Sequence, residues 1–332
     1  MILQMKKILI FLLVLVLLLV NFSCGAQSNR DDKDKDGEIK YTSIVKFIDV
    51  QDGECMLVKF SDGKTLLVDC GQDEQTITKK VTEEISKLTD TIDYFVYSHP
   101  DAEHTGNAES IINTFNVKNI FIPKILQPNS DFFPDYTRFV ELAQSKNIEI
   151  NYSECSDYMA GEDYLVAFLT PLSKGGSYAR FNSLNLPTES DADDLSPIIY
   201  IDVEGTRIVT TGDAGKIEEN DLLNNLNIDF YNIVLQTENK RVNLENIDFL
   251  KVSNGGASKG SSQEFLNVLK PKNAVISVGG GSYTGYPETS VLKRLQIANE
   301  DYKILRTDID GDISLLIDNG ELTVKRQGET ND

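Results

Sequence analysis

The sequence predicts an α+β protein in which two β-sheets pack face to face and helices cover both outer faces, a four-layer αββα sandwich. Two halves of the chain each combine hairpin-forming strands with alternating helices and strands, which suggests two sheets. Of the 332 residues, 40% are hydrophobic, enough for a sizeable core. No short tandem repeat recurs along the chain, which disfavours a solenoid.

The first half begins with a β-hairpin and continues with alternating helices and strands. Apolar runs and two-residue alternation predict strands, and an apolar residue every three or four positions predicts a helix. The predicted strands are 43–50, 55–60, 65–70, 92–98 and 119–123, and the predicted helices are 75–90 and 131–147. The strand 92–98 is apolar enough to be buried, and the only two histidines of the chain follow it directly.

The second half repeats this organisation and adds a closing hairpin. Its predicted strands are 165–170, 230–235, 273–279 and 302–307, and its predicted helices are 216–225, 261–270 and 288–299. Two hairpins span 197–213 and 313–325, with tight turns at Glu204-Gly205 and Asn319-Gly320.

The hairpin of the first half carries two cysteines. A tight turn at Asp62-Gly63 predicts a strand register in which Cys55 and Cys70 face each other on neighbouring strands. Export of the chain would permit a disulfide between them. The alternative is a pair of buried thiols in the core.

The N-terminus is typical of an exported bacterial protein. Residues 1–23 contain Lys6 and Lys7, then the apolar run 8–20, and are predicted to be a signal peptide. The Ser-Cys-Gly step that follows resembles a lipobox, in which Cys24 would receive a lipid anchor. Ordinary signal-peptide cleavage and a true membrane helix are the alternatives. All three place the rest of the chain outside the cytoplasm.

A charged segment links this terminus to the folded domain. Residues 24–40 are predicted to be a lipidated, solvated linker, 41–327 the domain, and 328–332 a tail. The stretch 32–39 matches the front of a calcium loop, but Ser43 stands where that loop needs a bidentate glutamate. A plain charged linker therefore explains it better.

The charge of the chain limits its partners. The formal net charge is −20, and loss of the two lysines and no acids of residues 1–23 changes it to −22. Such a charge disfavours tight binding of nucleic acid. It does not exclude metal-assisted attack on a phosphodiester.

The stretch SHPDAEHTG, residues 98–106, concentrates residues that bind metals. His99, Asp101, Glu103 and His104 offer nitrogen and oxygen donors at the end of a buried strand. The alternative is structural: His99 would cap the strand, and Glu103 and His104 would form an ion pair at a helix start.

This segment resembles the first metal-binding motif of the metallo-β-lactamase superfamily, HxHxDH followed by glycine. The resemblance covers nearly all of residues 44–325 and is closest to the extracytoplasmic hydrolase domain of ComEC-type competence proteins. HPDAEH is similar to that family's HPDADH. Three further segments also resemble it: the hairpin VKFIDVQDGECMLVKFSDGKTLLVDCG (45–71), RIVTTGDAG (207–215) and RTDIDGDISL (306–315).

The resemblance implies a set of site residues. The metal ligands would be His99, Asp101, Glu103, His104 and Asp213. Glu103 would orient or deprotonate the attacking water, and Asp213 would hold or bridge metal. Asp69, which ends the first hairpin, would hold the motif loop in place.

The chain also departs from the family pattern. Where relatives carry His-His-Gly, it has Asn254, Gly255 and Gly256, and Tyr286-Pro287 replaces a His-Pro step. Asn254 is therefore expected beside the metal as a vestige of a lost histidine. The loss implies one divalent ion rather than two. An oxygen-rich set shifts the preference from zinc towards manganese or iron.

The acidic loop 189–194 precedes a strand near which relatives often place another ligand. Asp193 or Asp194 could fill the gap, and a charged surface loop is the alternative.

Two functions from different classes follow. One is an exported metal-dependent hydrolase acting on a phosphodiester or related ester. The other is a lipoprotein that kept the sandwich, lost its metals and serves as a binding or scaffold protein. With only two histidines in the chain, the binding of metal separates the two.

Overall fold

In a computed structural model of the chain, eight strands form one sheet and seven form a second. The structure describes residues 43–126, 133–172, 176–184, 188–226, 242–281 and 285–329. Four predictions lie outside the described residues: the signal peptide at 1–23, the linker at 24–40 with Cys24, the calcium-like stretch and the strand at 230–235. No helix among the described residues is long and apolar enough to cross a membrane.

The first sheet is mixed, with the strand order β15-β14-β1-β2-β3-β4-β5-β6. Its strands are β1 (Ser43–Phe47), β2 (Met56–Lys59), β3 (Thr65–Val68), β4 (Thr91–Val96), β5 (Asn116–Ile122), β6 (Glu149–Tyr152), β14 (Ile313–Asp318) and β15 (Glu321–Arg326). The pairs from β3 to β6 are parallel, and the remaining pairs are antiparallel.

The second sheet has the strand order β13-β12-β11-β10-β9-β8-β7. Its strands are β7 (Tyr158–Ala160), β8 (Tyr164–Phe168), β9 (Ile199–Val203), β10 (Thr206–Thr210), β11 (Phe249–Lys251), β12 (Asn273–Ile276) and β13 (Lys303–Arg306). The pairs from β10 to β13 are parallel, so this sheet also has a parallel half.

Helices follow the strands in both halves. They are α1 (Gln75–Ser86), α2 (Ala102–Thr105), α3 (Ala108–Thr114), α4 (Pro134–Ser145), α5 (Gly176–Phe181), α6 (Glu189–Ala192), α7 (Lys216–Asn225), α8 (Gln263–Leu269), α9 (Thr289–Ala298) and α10 (Thr307–Asp310). Two 3₁₀ turns, Asp193–Leu195 and Ser253–Gly256, lie next to the site described below.

Three apolar clusters show how the layers pack. Met56 and Val58 point into the cluster between the two sheets, whereas Leu57 points into the cluster under α1, α3 and α4. A third cluster lies between the second sheet and α7, α8 and α9. Side chains of a strand alternate between its two faces, so each sheet contributes to two clusters. The predicted αββα sandwich is confirmed.

Two of the three predicted tight turns have the expected form. Val203 pairs with Thr206 and Asp318 pairs with Glu321, so each hairpin closes through two residues. Both residues of each turn have positive φ, as a type I′ turn requires.

The register predicted at Asp62-Gly63 is wrong. Phe60 N donates to the carbonyl oxygen of Lys64 at 2.9 Å, so the loop has three residues rather than two. That extra residue shifts the pairing by one position, and Met56 pairs with Val68. Cys55 and Cys70 therefore do not face each other in register. Both are free and buried, and burial raises the pKa of each thiol well above its usual value.

The parallel halves of the two sheets determine where the candidate site lies. β3 and β4 end side by side and are followed by Asp69 and His99, and β10 and β11 end side by side and are followed by Asp213 and Asn254. The carboxyl ends of neighbouring parallel strands lie at one edge of a sheet.

Candidate metal centre

Asp69 lies at the base of the site and fixes the histidine loop. Its carboxylate accepts hydrogen bonds from Ser98 N at 2.9 Å and Ser98 Oγ at 2.6 Å. Oδ2 also lies 2.9 Å from His104 Nδ1. The side chain is fully buried, so a substitution there would leave several polar groups without partners.

His99 is held through its Nδ1 atom. Ser98 Oγ and Ser196 Oγ lie 2.9 Å and 3.0 Å from that nitrogen. Because Ser98 Oγ donates its proton to Asp69, it accepts from His99, and the Nδ1 atom carries the ring proton. The lone pair of the neutral ring is then on Nε2, which has no hydrogen-bond partner among the described residues.

His104 has the same arrangement, with a carboxylate in place of the hydroxyls. Asp69 accepts the Nδ1 proton, and Nε2 lies 3.1 Å from Asp213 Oδ1. Burial alone would lower the pKa of His104, but the carboxylates of Asp213 and Asp69 raise it well above its usual value. The two imidazole rings are buried, with centroids 4.4 Å apart.

Asp213 follows β10 after a tight turn. Gly212 has a φ of +49°, and a Cβ there would lie 3.1 Å from the Cβ of Ser196. Asp213 N donates to Ser196 Oγ at 3.2 Å, so one hydroxyl contacts both Asp213 and His99. Burial would raise the pKa of Asp213, but His104 outweighs that effect and lowers it.

These three residues form a first group of potential ligands. One donor atom each from His99, His104 and Asp213 lies within 4.8 Å of the others, although Asp213 is more than a hundred positions away in sequence. Asp213 Oδ1 and His99 Nε2 are buried without well-oriented hydrogen bonds among the described residues. Two imidazoles and a carboxylate that converge in this way fit a divalent ion.

A second group shares His99. Its Nε2 atom lies 3.6 Å from Asp101 Oδ2 and 3.7 Å from Asp193 Oδ1, so these residues also satisfy the spacing of metal ligands. Asp193 is buried in its 3₁₀ turn rather than displayed on a surface loop. Asp194 is in neither group: burial raises the pKa of its carboxyl, and the charge of Arg180 and a backbone hydrogen bond from Gly215 oppose that shift.

Glu103 belongs to neither group. It lies in α2 and lines a cavity of about 70 Å³ beside His104 and Asp213. Gly53, with a φ of +107°, passes so close that a Cβ there would lie 1.8 Å from the carbonyl oxygen of Glu103. Desolvation, reinforced by the charges of Asp213 and Asp101, raises the pKa of Glu103.

Asn254 takes the position that the resemblance assigns to a lost histidine. It lies in the turn after β11 with a φ of +49°, and its Nδ2 donates to Asp213 Oδ2. The amide orients Asp213 so that Oδ1 faces His104. The cavity wall is completed by Asp52, Lys251, Gly255, Ser277, Val278 and Tyr286.

Two lysines of the site were not found from the sequence. Lys251 is 1% exposed at the end of β11 and forms an ion pair with the fully buried Glu54. Lys259 forms an ion pair with Asp193. No local pattern indicated either lysine, because each pairs with an acid that is distant in sequence, Glu54 for Lys251 and Asp193 for Lys259.

A two-sheet sandwich with histidine and aspartate donors at its strand ends has the hydrolase-type fold of a class of metal-binding enzymes. A model of the Metallo-beta-lactamase superfamily matches residues 48–280, and the chain belongs to this superfamily. The resemblance deduced from the motifs is confirmed.

A curated relative supports the closer resemblance. ComE operon protein 3 of Bacillus subtilis (strain 168) is 25% identical over 227 residues, 67% of this chain and 24% of that protein. The chain thus spans about a quarter of the length of this relative.

Two solved structures are similar to the chain at low sequence identity. CmlA, a diiron β-hydroxylase from Streptomyces venezuelae, matches 84% of this chain and 55% of its own at 11% identity, with a TM-score of 0.46. The metallo-β-lactamase fold protein YhfI from Bacillus subtilis matches 79% of this chain and 96% of its own at 11% identity, with a TM-score of 0.43. Likenesses this low do not indicate the chemistry of the chain.

Proposed function

We propose that the chain is an exported, divalent-metal-dependent hydrolase. The observation that carries the proposal is the shared orientation of His99 and His104. Each ring is fixed through Nδ1, His104 Nε2 lies 3.1 Å from Asp213 Oδ1, and a donor atom of His99 lies within 4.8 Å of donor atoms of both residues. Partners that fix the second nitrogen of a histidine are typical of metal-binding sites, because they set the tautomer and the ring orientation.

The residues of the centre would have different roles in the reaction. When bound, a divalent ion supplies polarisation of the scissile group and a lowered pKa of water. His99, His104 and Asp213 would hold it, and Asp69 would position the two rings. Glu103, at the cavity wall with a raised pKa, would accept a proton from the attacking water.

We propose a phosphodiester or a related ester as the substrate. The resemblance of the motifs to the hydrolase domain of ComEC-type competence proteins supports it. The acidic charge of the chain favours a small ester over a long nucleic acid held by its backbone. The small cavity beside Asp213 fits the same class.

The place of action follows from the N-terminus. We propose that residues 1–23 direct export and that Cys24 carries a lipid anchor, so that the linker 24–40 tethers the domain 41–327 to the cell envelope. The basic start, the apolar run and the Ser-Cys-Gly step support this. Mass spectrometry of the processed N-terminus tests it, since a diacylated Cys24 and an unmodified cleavage product differ in mass.

Metal-dependent cleavage of bis(p-nitrophenyl) phosphate tests the activity. The full chain, stripped by chelation and reloaded with Mn²⁺, Fe²⁺ or Zn²⁺, should cleave this diester, and Asp213→Asn should lose at least about 100-fold in rate. Asp90→Asn, an exposed acid remote from the site, is the matched control. Absence of bound metal after loading would instead favour the scaffold lipoprotein.

A further inference from the structure

Lys259 brings a positive charge to the second ligand group. Its ammonium forms an ion pair with Asp193 Oδ2, while Asp193 Oδ1 faces His99 Nε2 at 3.7 Å. The side chain of Lys259 is 37% exposed, and that of Asp193 is 6% exposed. Burial lowers the pKa of Lys259, and the charges of Asp101 and Glu103 oppose that shift. The ammonium therefore lies among three carboxylates at one side of the centre.

The backbone holds Lys259 in this position. Its carbonyl oxygen accepts from Lys216 N at 3.1 Å, at the start of α7. The next carbonyl oxygens, of Gly260 and Ser261, accept from the guanidinium of Arg294 at 2.8 Å and 2.7 Å. A Cβ at Gly260 would lie 2.5 Å from Ser253 Oγ, so the loop packs tightly against the turn that carries Asn254. Lys259 is thus a fixed part of the site rather than a loose surface lysine.

A divalent ion in the second group would compete with this ammonium. Of the three donors His99, Asp101 and Asp193, two are carboxylates, and Asp193 already bonds Lys259. A metal ion on Oδ1 and an ammonium on Oδ2 of one carboxylate would repel each other at short range. In the first group, by contrast, Asp213 contacts the amide of Asn254 and the ring of His104, and an imidazole can release its Nε2 proton and bind the ion itself.

We propose that the Lys259 ammonium takes the place of a second metal ion, so that the centre binds one divalent ion, in the group of His99, His104 and Asp213. This inference rests on the proposed function, because it requires that the first group bind metal. It assigns Lys259 as a positioning residue that neutralises Asp101 and Asp193. Nε2 of His99 carries a single lone pair and serves the ion of the first group, so removal of the Lys259 charge should free the carboxylates of Asp101 and Asp193 to bind a second ion.

The test is the number of Mn²⁺ or Zn²⁺ ions bound by the full chain, measured by elemental analysis and by titration calorimetry. The expected result is one ion per chain, and two in Lys259→Met, which keeps the length of the side chain without its charge. Lys259→Arg should retain one ion. Asp193→Asn combined with Lys259→Met should return the number to one, which locates the second ion.

Two controls distinguish an effect of the lost Lys259 charge from an effect on folding. Lys216→Met removes an exposed lysine near the same loop and should leave one ion per chain, as should Asp194→Asn. Melting temperatures of all variants identify any that fail to fold. Lys259→Gln, which also lacks the charge and should also bind two ions, carries the comparison if Lys259→Met is one of them.

Each remaining outcome is decisive. Two ions in the unchanged chain, or one ion in Lys259→Met, would overturn the role of Lys259 and leave the proposed function standing. No ion in any variant would overturn the proposed function and this inference with it.

Discussion

The two ligand groups share His99 and have similar spacing, but they differ in what neutralises their carboxylates. In the first group, Asp213 contacts His104 and an amide, and its Oδ1 has no well-oriented hydrogen bond among the described residues. In the second group, Asp193 is already paired with Lys259. Donor spacing alone therefore does not define a metal position. The charges that already surround the donors decide whether an ion adds a favourable interaction.

The largest expected effect is a loss of folding stability, and it differs between the two lysines of the site. Lys251→Met would leave Glu54 as an unpaired, fully buried charge, so the free energy of unfolding should fall by about 3–5 kcal/mol. Lys259→Met removes a more exposed pair and should cost at most about 1 kcal/mol. Urea denaturation of both variants measures the difference. Equal losses would show that Lys259 is as structural as Lys251.

Loss of the shared histidine should weaken the first group. His99→Gln removes a nitrogen donor that forms this group with His104 and Asp213. Mn²⁺ affinity of the otherwise unchanged chain should fall more than about 100-fold, beyond the range typical of an outer partner. In the Lys259→Met background, the same substitution should remove the ion of the first group and leave the one held by Asp101 and Asp193. An unchanged Mn²⁺ affinity of His99→Gln would show that His99 is not a ligand.

Asp69→Asn should weaken the first group without removing a ligand. The amide keeps the size of the side chain but loses an acceptor for Ser98 or His104, so the rings would be held less firmly. We expect a loss of about 10–100-fold in Mn²⁺ affinity, measured by calorimetry. Asp93→Asn, another buried acid of the same sheet but away from the site, is a matched control. An unchanged affinity would mean that the outer contacts do not orient the histidines.

The smallest expected effect is a gain in Mn²⁺ affinity. Asn254→His would return an imidazole to the loop beside Asp213, and histidine tolerates the positive φ at this position. Mn²⁺ affinity should rise up to about tenfold, to be measured by the same calorimetry, because a neutral donor replaces an amide that only orients the carboxylate. Asn243→His, in a loop outside the site, controls for an added surface imidazole. No gain would show that the loop of Asn254 lies too far from the ion.

Sequence patterns predicted the layers better than the local details. Alternating and continuous apolar runs located most strands, because burial on one or both faces requires them. The short strands β6, β7 and β11 were not predicted, since three or four residues give too little periodicity. The turn at Asp62-Gly63 resembled the two-residue turns elsewhere, but the loop contains one more residue, and the predicted facing of Cys55 and Cys70 failed with it.

The residues of the candidate site were likewise predicted only in part. The sequence singled out His99, His104 and Asp213, because a dense motif and a family resemblance identified them. Ser196 and Lys259 lie 97 and 66 positions from the residues they contact, His99 and Asp193. Pairs so distant are brought together only by the packing of two sheets. A single sequence carries no local pattern that would reveal them.

The most direct test of the central claim is anomalous diffraction from crystals of the full chain soaked in Mn²⁺. The account predicts one anomalous peak, about 2.0–2.3 Å from His99 Nε2, His104 Nε2 and a carboxylate oxygen of Asp213. Lys259 should remain paired with Asp193 in the same map. No peak at this position, or a second peak between Asp101 and Asp193, would contradict the account.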